Sequence, residues 1–153
     1  MKLVALLVTP LWGAGCWTNP PEPAAPTPSL APSGVWHSEW RGSYVCAQGQ
    51  TALHLVLDRT CPPGADCEVA GVFEFGPLAS NPDVPRGSYR VTGTVATNDA
   101  DELVLTINAG AWIDRPANYL AVGFTARSDR ARKRLRGTIS DPWCGKLEAT
   151  RQQ

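Results

Sequence analysis

The stretch GSYRVTGTV, residues 87–95, is the clearest indication of how this chain folds. From Tyr89 to Val95 its odd-numbered positions are apolar or glycine, and its even-numbered positions are arginine or threonine. Side chains alternate between the two faces of a β-strand, so a period of two residues with one polar face is typical of an antiparallel strand that covers a core on one side. The stretch therefore predicts a half-buried strand.

The same alternation recurs along the rest of the chain from residue 40. The segments are TALHLVLD (51–58), ELVLTI (102–107), LAVGFTA (120–126) and LRGTIS (135–140), joined by WRGSYVCA (40–47), CEVAGVFEF (67–75) and GKLEAT (145–150). In LAVGFTA the alternation predicts that Leu120 and Val122 point inward together with Phe124. About eight consecutive short strands predict an all-β fold, either one small antiparallel meander barrel or a closely related sandwich, because both protect open sheet edges.

Residues 1–15 have the composition of a secretory signal. Lys2 precedes the apolar run LVALLVTPLW, residues 3–12, which is too short to span a bilayer and is followed by small residues. A buried core helix is the alternative, but Pro10 and the proline-rich sequence that follows argue against it. We therefore expect the protein to be exported.

The four residues GAGC, residues 13–16, resemble the lipobox of bacterial lipoproteins. The resemblance implies that the thiol of Cys16 receives a diacylglycerol and that Cys16 becomes the N-terminus after cleavage. Ala14 and Gly15 match the motif, whereas Gly13 stands where leucine is usual. Gly13 and Gly15 also suit ordinary signal cleavage, so simple secretion remains the alternative. Trp17, in a position where sorted lipoproteins of the inner membrane carry aspartate, implies the outer membrane in a source that has two membranes.

The five cysteines are Cys16, Cys46, Cys61, Cys67 and Cys144. In an oxidising compartment cysteines are expected to pair. Cys61 and Cys67 flank a short loop, and Cys46 and Cys144 lie in or beside the first and last strands, which are neighbours in a closed meander. We therefore predict the pairs Cys61–Cys67 and Cys46–Cys144, with Cys16 left as the lipid attachment site. A zinc site is the alternative use of these thiols, but no CxxC or HxxxH spacing accompanies them.

Residues 19–33 contain six prolines among fifteen residues and cannot form a core. Such a tract favours extended polyproline II, which gives a semi-rigid tether of roughly 45 Å. The predicted organisation is a signal peptide in residues 1–15, a lipidated N-terminus and tether in residues 16–33, and one β-domain in residues 34–153.

The chain has 14 basic and 14 acidic residues, but six of the basic ones lie in RSDRARKRLR, residues 127–136. A hairpin tip that carries Arg130, Arg132, Lys133 and Arg134 suits an anionic lipid surface, an anionic envelope polymer or an acidic partner protein. The alternative is a solvated loop that protects the hairpin. Nucleic acid is not an expected partner of an exported protein.

A second candidate site lies in GAWIDRPANY, residues 110–119, which we place in the longest late connection. Trp112, Arg115 and Tyr119 are predicted to form either a ligand site at a barrel mouth or an apolar plug that closes it. His37 and His54 have no nucleophile at a recognisable spacing and are interpreted as surface residues. TNDADE, residues 97–102, is interpreted as a hairpin turn rather than a calcium loop. We predict no catalytic residue, metal site or cofactor.

WRGSYVCAQGQTALHLVL, residues 40–57, is similar to the opening of a β-rich domain of bacterial exported and multidomain proteins, of the form W-x-G-x-Y-x-C-x-Q-G. That family has no assigned activity. Tyr44, Cys46 and the late Cys144 also resemble the outline of membrane-bound inhibitors of C-type lysozyme, which are lipoproteins with a small antiparallel barrel. These resemblances imply a non-catalytic binding module anchored in the envelope, or alternatively an inhibitor of that type or a small-ligand-binding barrel.

Overall fold

The computed structural model describes residues 35–60 and 67–153, which form eight strands and no helix. The strands are β1 (Val35–Cys46), β2 (Gly49–Thr60), β3 (Cys67–Gly76), β4 (Gly87–Thr97), β5 (Leu103–Asp114), β6 (Phe124–Ser128), β7 (Arg134–Ile139) and β8 (Lys146–Arg151). Each strand pairs with the next, and β8 pairs antiparallel with β1 to close a barrel. The predicted all-β meander barrel is confirmed, and the sandwich alternative is wrong.

The up-and-down strand order gives the barrel two different ends. We call the end at which the chain enters, at Val35, the proximal rim; it also carries residues 98–102 and 129–133 and the C-terminal residues after β8. The opposite end is the distal rim, which consists of residues 47–48, 77–86, 115–123 and 140–145. Any surface on the distal rim is therefore separated from Val35, where the described chain begins, by the length of the barrel.

The inward side chains fill the centre of the barrel. Phe73 is 0% exposed, and its ring stacks on Tyr89 with 4.9 Å between ring centroids. Tyr44 meets the same ring edge-on at 5.6 Å, and Phe124 lies 6.1 Å away. Such aromatic pairs add to the stabilisation from area burial alone. The middle of this barrel is thus a packed core, as in other small eight-stranded barrels.

A disulfide joins the first strand to the turn before the last one. Cys46 and Cys144 are bonded to each other across 98 residues of sequence, which confirms that predicted pair. It reinforces the seam where β1 pairs with β8 from Trp40 to Tyr44. Cys67 is buried at the start of β3, but its predicted partner Cys61 lies outside the described residues, as does Cys16.

Two details of the predicted strands are wrong. Trp112 lies within β5 rather than in a connection, and β6 begins only at Phe124. Leu120 is 71% exposed instead of facing the core. The physical reason is the turn that follows β5: Pro116 cannot donate to a strand ladder, and Asn118 has a φ of 65°. The alternation of Leu120 and Val122 therefore falls in a loop that reverses the chain.

We expect Gly93→Ala to destabilise the barrel. Gly93 lies on the inner face of β4, and a Cβ there would collide with the backbone oxygen of Thr106 and lie 2.9 Å from the Cα of Ile107. Overpacking of this kind costs about 1 to 3 kcal/mol, and more where backbone atoms cannot move. Urea unfolding should show the loss, while the control Gly145→Ala should unfold like the wild type because no atom lies within 4 Å of its added Cβ. Equal stability of the two variants would contradict this account of the close strand approach.

Candidate functional site

Exposed apolar side chains gather at the distal rim. In the described part of the chain, the large hydrophobic residues that are exposed are Val45, Ile113, Leu120 and Trp143. Leu120 and Trp143 lie in distal-rim loops, and Val45 and Ile113 are the penultimate residues of β1 and β5, which end at that rim. Trp143 is 79% exposed, which is a large aromatic surface to leave in water. Exposed apolar groups concentrated in one place are typical of an interaction site.

A cleft of about 430 Å³ opens beside Trp143. Its apolar lining consists of Tyr44, Ala47, Tyr119, Leu120, Val122, Trp143 and the Cys46–Cys144 disulfide, and its polar lining is Gln48, Asn118 and Asp141. This combination of a mostly apolar wall with a few polar groups is typical of sites that bind ligands or inserted side chains, whose volumes run from roughly 300 to 1,000 Å³. We call it the distal cleft.

Hydrogen bonds hold the loops of the distal cleft in place. The Tyr89 hydroxyl donates to the backbone oxygen of Val122 at 2.9 Å, which fixes the loop of residues 115–123 to the core. Burial raises the pKa of Tyr89, so this hydroxyl keeps its proton. On the other wall, the Asp141 carboxylate accepts the N–H of Trp143 at 2.9 Å, and the N–H of Gly145 donates to the Val45 carbonyl at 2.8 Å. The cleft is therefore built on fixed loops.

The structure brings the three predicted ligand residues together at the distal rim. Tyr119 stacks on Phe75 with 5.4 Å between centroids, and Trp112 meets the same ring edge-on at 6.2 Å. The Arg115 guanidinium lies 5.8 Å from the centroid of Trp112. Trp112 thus packs onto the end of the core, as the plug alternative predicts, whereas Tyr119 also lines the distal cleft. Ligand binding by the three residues stays a prediction.

Sequence reasoning did not single out Trp143 or Leu120 as exposed site residues. The available signal was local: Trp143 lies in SDPWCG, residues 140–145, where Pro and Gly indicate a turn. A turn is exposed, so an aromatic residue within it has no core to enter. Leu120 had no such signal, because its alternation with Val122 imitates a strand.

The basic hairpin joins β6 to β7 at the proximal rim. Asp129 organises it by accepting the N–H groups of Lys133 and Arg134 at 2.7 and 3.1 Å. Two of the four predicted patch cations are in ion pairs: Arg132 with Asp101 at 2.7 Å and Arg134 with Asp129 at 3.3 Å. Arg130 and Lys133 are exposed. The interaction patch stays a prediction, with part of its charge offset by neighbouring carboxylates.

We expect the stability contributed by Asp129 to depend on pH. The N–H bonds from Arg134 and Lys133 hold the pKa of Asp129 below its ordinary value near 3.8. A depressed folded-state pKa stabilises the fold above the unfolded value, and this contribution disappears as the pH falls through the folded value. The difference in unfolding free energy between wild type and Asp129→Asn should therefore be constant above about pH 5 and shrink below pH 3.8. A pH-independent difference in urea titrations would contradict this.

Both histidines bind carboxylates on the outer wall of the barrel. His37 Nδ1 lies 2.7 Å from Asp58, and His54 lies between Glu74 at 2.6 Å and Glu39 at 2.8 Å. Glu39 also accepts from Arg41 at 2.9 Å, and this bond, aided by the contact with His54, holds the pKa of Glu39 below its usual range. The two glutamates meet opposite ring nitrogens, so they do not converge on one point. Within residues 35–60 and 67–153, no three side chains of the metal-binding types are arranged to hold an ion.

The turn between β4 and β5 has the form that its sequence predicts. The side-chain oxygen of Asn98 accepts the N–H groups of Ala100 and Glu102 at 3.0 and 2.9 Å. Asp101 completes the turn with a φ of 61°, a conformation that aspartate tolerates better than most residues.

Comparison with protein-family models and with curated proteins gives no match for this chain. In the described ranges, the structure contains no helix of the length and hydropathy needed to cross a membrane. The fold and the geometry define a closed eight-stranded barrel with a packed core and a mostly apolar cleft on its distal rim.

Proposed function

We propose that this protein is an envelope-anchored lipoprotein that works as a non-catalytic binding module, with the distal cleft as its binding surface. The observation that carries the proposal is that the chain enters the barrel at one end and the exposed apolar surface lies at the other. The chain enters at Val35 on the proximal rim, whereas the exposed hydrophobic residues and the distal cleft lie at the other end. An anchor at Cys16 with an extended tether would therefore present the cleft away from the membrane.

The packing of the core favours a partner that binds on the rim rather than inside the barrel. Phe73, Tyr89 and Phe124 occupy the space that a ligand-carrying barrel leaves open. A protein partner that inserts an apolar side chain beside Trp143 suits the size and lining of the distal cleft. The Cys46–Cys144 disulfide is consistent with an oxidising compartment outside the cytoplasm.

A specific observation favours lysozyme inhibition as a second candidate. Tyr44, Cys46 and Cys144, the residues that carry the resemblance to the inhibitors, all line the distal cleft. The purified chain should then slow cell-wall hydrolysis by C-type lysozyme, and Trp143→Ser should weaken that effect. Full lysozyme activity at a molar excess of the chain would remove this candidate and leave a different partner.

The anchor is tested by labelling cells with radioactive palmitate. We expect label on the wild-type chain and none on Cys16→Ser, because that cysteine is the proposed acylation site. Cys67→Ser is a suitable comparison, since it removes a disulfide-bonded cysteine of the β-domain and should leave the label in place. Label that persists on Cys16→Ser would contradict the anchor.

The binding surface is tested with immobilised chain and solubilised native envelopes. The double variant Leu120→Ser and Trp143→Ser should lose the partner that the wild type retains, because both side chains lie exposed beside the cleft. The control Thr125→Ala alters an exposed residue on the wall of β6 and should retain it. Equal recovery on all three chains would exclude the distal cleft as the binding surface.

A further inference from the structure

A buried arginine lies at the proximal rim. Arg59 is at the end of β2, on the inward side of the strand, and is only 8% exposed. Its Nε has no hydrogen-bond partner among the residues that the structure describes. Burying a charged group is costly unless it is paired, and nearly all buried polar atoms have a partner. Within the described ranges, the Arg59 Nε is therefore a donor that a bound acceptor could satisfy.

Trp36 holds this guanidinium in place without neutralising it. Trp36 and Arg59 are register partners on β1 and β2, and the Arg59 guanidinium lies 4.6 Å from the centre of the indole ring. Arg151, at the end of β8, lies 5.8 Å from the same centre. A ring face attracts cations but carries no net charge. The guanidinium groups of Arg59 and Arg151 therefore both lie near the indole ring of Trp36.

Further cations lie near this pair, together with several carboxylates. A cleft of about 820 Å³ on the proximal rim is lined by the cations Arg132, Lys133, Arg134 and Arg151 and by the carboxylates of Glu39 and Asp129. Arg59 lines a separate cleft together with Asp58 and Glu68. Burial lowers the pKa of Arg59, and the nearby charge of Arg132 lowers it further. Two carboxylates on β1 and β2 have other partners, since Asp58 binds His37 and Glu39 binds Arg41. Among the described residues, Arg59 is therefore in no ion pair, and its Nε has no acceptor.

We propose that the proximal rim is a binding site for a phosphate group, which Arg59 and Arg151 contact beside Trp36, with Arg132 supplying further charge. Guanidinium groups present parallel N–H donors that match the oxygens of phosphate, and several such groups share its charge. The phosphate comes either from an anionic lipid headgroup or from a soluble phosphate. The lipid source rests on the proposed function, because the anchor would hold this rim near a membrane in the cell. The site itself does not depend on the anchor.

The test uses the full chain carrying Cys16→Ser, so that no acyl chain contributes, with disulfides formed. One arm titrates inorganic phosphate, and the other titrates vesicles of phosphatidylglycerol in phosphatidylcholine against vesicles of phosphatidylcholine alone. We expect Arg59→Gln and Arg151→Gln to weaken binding by roughly tenfold or more. The matched control Arg90→Gln, an exposed arginine on the outer wall of β4, should bind like the parent chain. Higher salt should weaken binding in every chain that binds.

Tryptophan fluorescence gives a second measurement. Because Trp36 contacts both guanidinium groups, binding should change its emission, and Trp36→Phe should abolish that change. If Arg59→Gln fails to fold, phosphate binding by Arg59→Lys and Arg151→Gln tests the site instead. Lysine keeps the charge of arginine but loses its paired donors.

The two arms separate the sources of phosphate. Binding of both probes, or of inorganic phosphate alone, supports the site with a soluble ligand, and this result holds even if palmitate labelling fails. If the parent chain binds anionic vesicles but not inorganic phosphate, and Arg151→Gln no longer binds the vesicles, the headgroup source is supported. The proposal is overturned if neither probe binds at low salt, or if Arg151→Gln and Arg59→Lys bind both probes like Arg90→Gln.

Discussion

Replacing Cys46 and Cys144 together with alanine is expected to lower the free energy of unfolding by about 4 to 5 kcal/mol. The bond closes a loop with a sequence separation of 98 residues, which includes most of the barrel. In the chain-entropy description, a cross-link restricts the unfolded chain more strongly as the loop lengthens. The bond also lies beside the seam of β1 and β8, which no covalent turn connects. The loss is therefore large relative to the stability of an ordinary domain, roughly 5 to 15 kcal/mol.

Guanidinium unfolding followed by tryptophan fluorescence measures this loss. The control is Cys16→Ser, which removes a thiol outside the β-domain and should unfold at the same denaturant concentration as the wild type. A double alanine variant that unfolds within 1 kcal/mol of the wild type, about the typical effect of a single substitution, would contradict the seam account.

Phe73→Ala is expected to lower the free energy of unfolding by about 3 to 5 kcal/mol. The Phe73 ring is fully buried and touches Tyr89, Tyr44 and Phe124, which lie on three other strands. Removing it leaves a cavity that these rings cannot fill without leaving their own contacts. The cost therefore combines lost apolar transfer with an unfilled cavity.

Phe73→Leu is the matched variant, because it keeps an apolar side chain of intermediate size at the same position. It should lose less stability than Phe73→Ala, in proportion to the smaller cavity. Equal losses for the two variants in urea titrations would mean that the cavity does not set the cost. The aromatic cluster would then not be the centre of the core.

The strands were predictable because each strand has one solvent-exposed face and one buried face. Along β4, each inward residue from Tyr89 to Val95 is apolar or glycine, so the period of two is visible in the sequence. The closure at Cys46 and Cys144 was predictable for a topological reason, since a meander that closes must bring its first and last strands together. Loop residues do not obey this periodicity, which is why Leu120 was placed inward.

The sites were less predictable than the fold, because they depend on which residues meet across strands. Trp36, Arg59 and Arg151 are far apart in sequence, and only the register of β1 with β2 and the closure by β8 bring them to one rim. Arg59 ends an alternating strand, where a charged residue is expected to face solvent. Its inward direction continues the alternation of Leu55 and Leu57, because β2 extends to Thr60, two residues beyond the predicted segment 51–58.

Site-specific photo-crosslinking in intact cells is the most direct test of the distal cleft as a binding surface. A photoreactive phenylalanine derivative would replace Trp143 on the distal rim in one strain, and Thr125 on the outer wall of β6 in another. The account predicts one discrete protein adduct from position 143 and none from position 125, because only the distal rim exposes Trp143 beside a cleft. No adduct from position 143, or the same adduct from both positions, would contradict it.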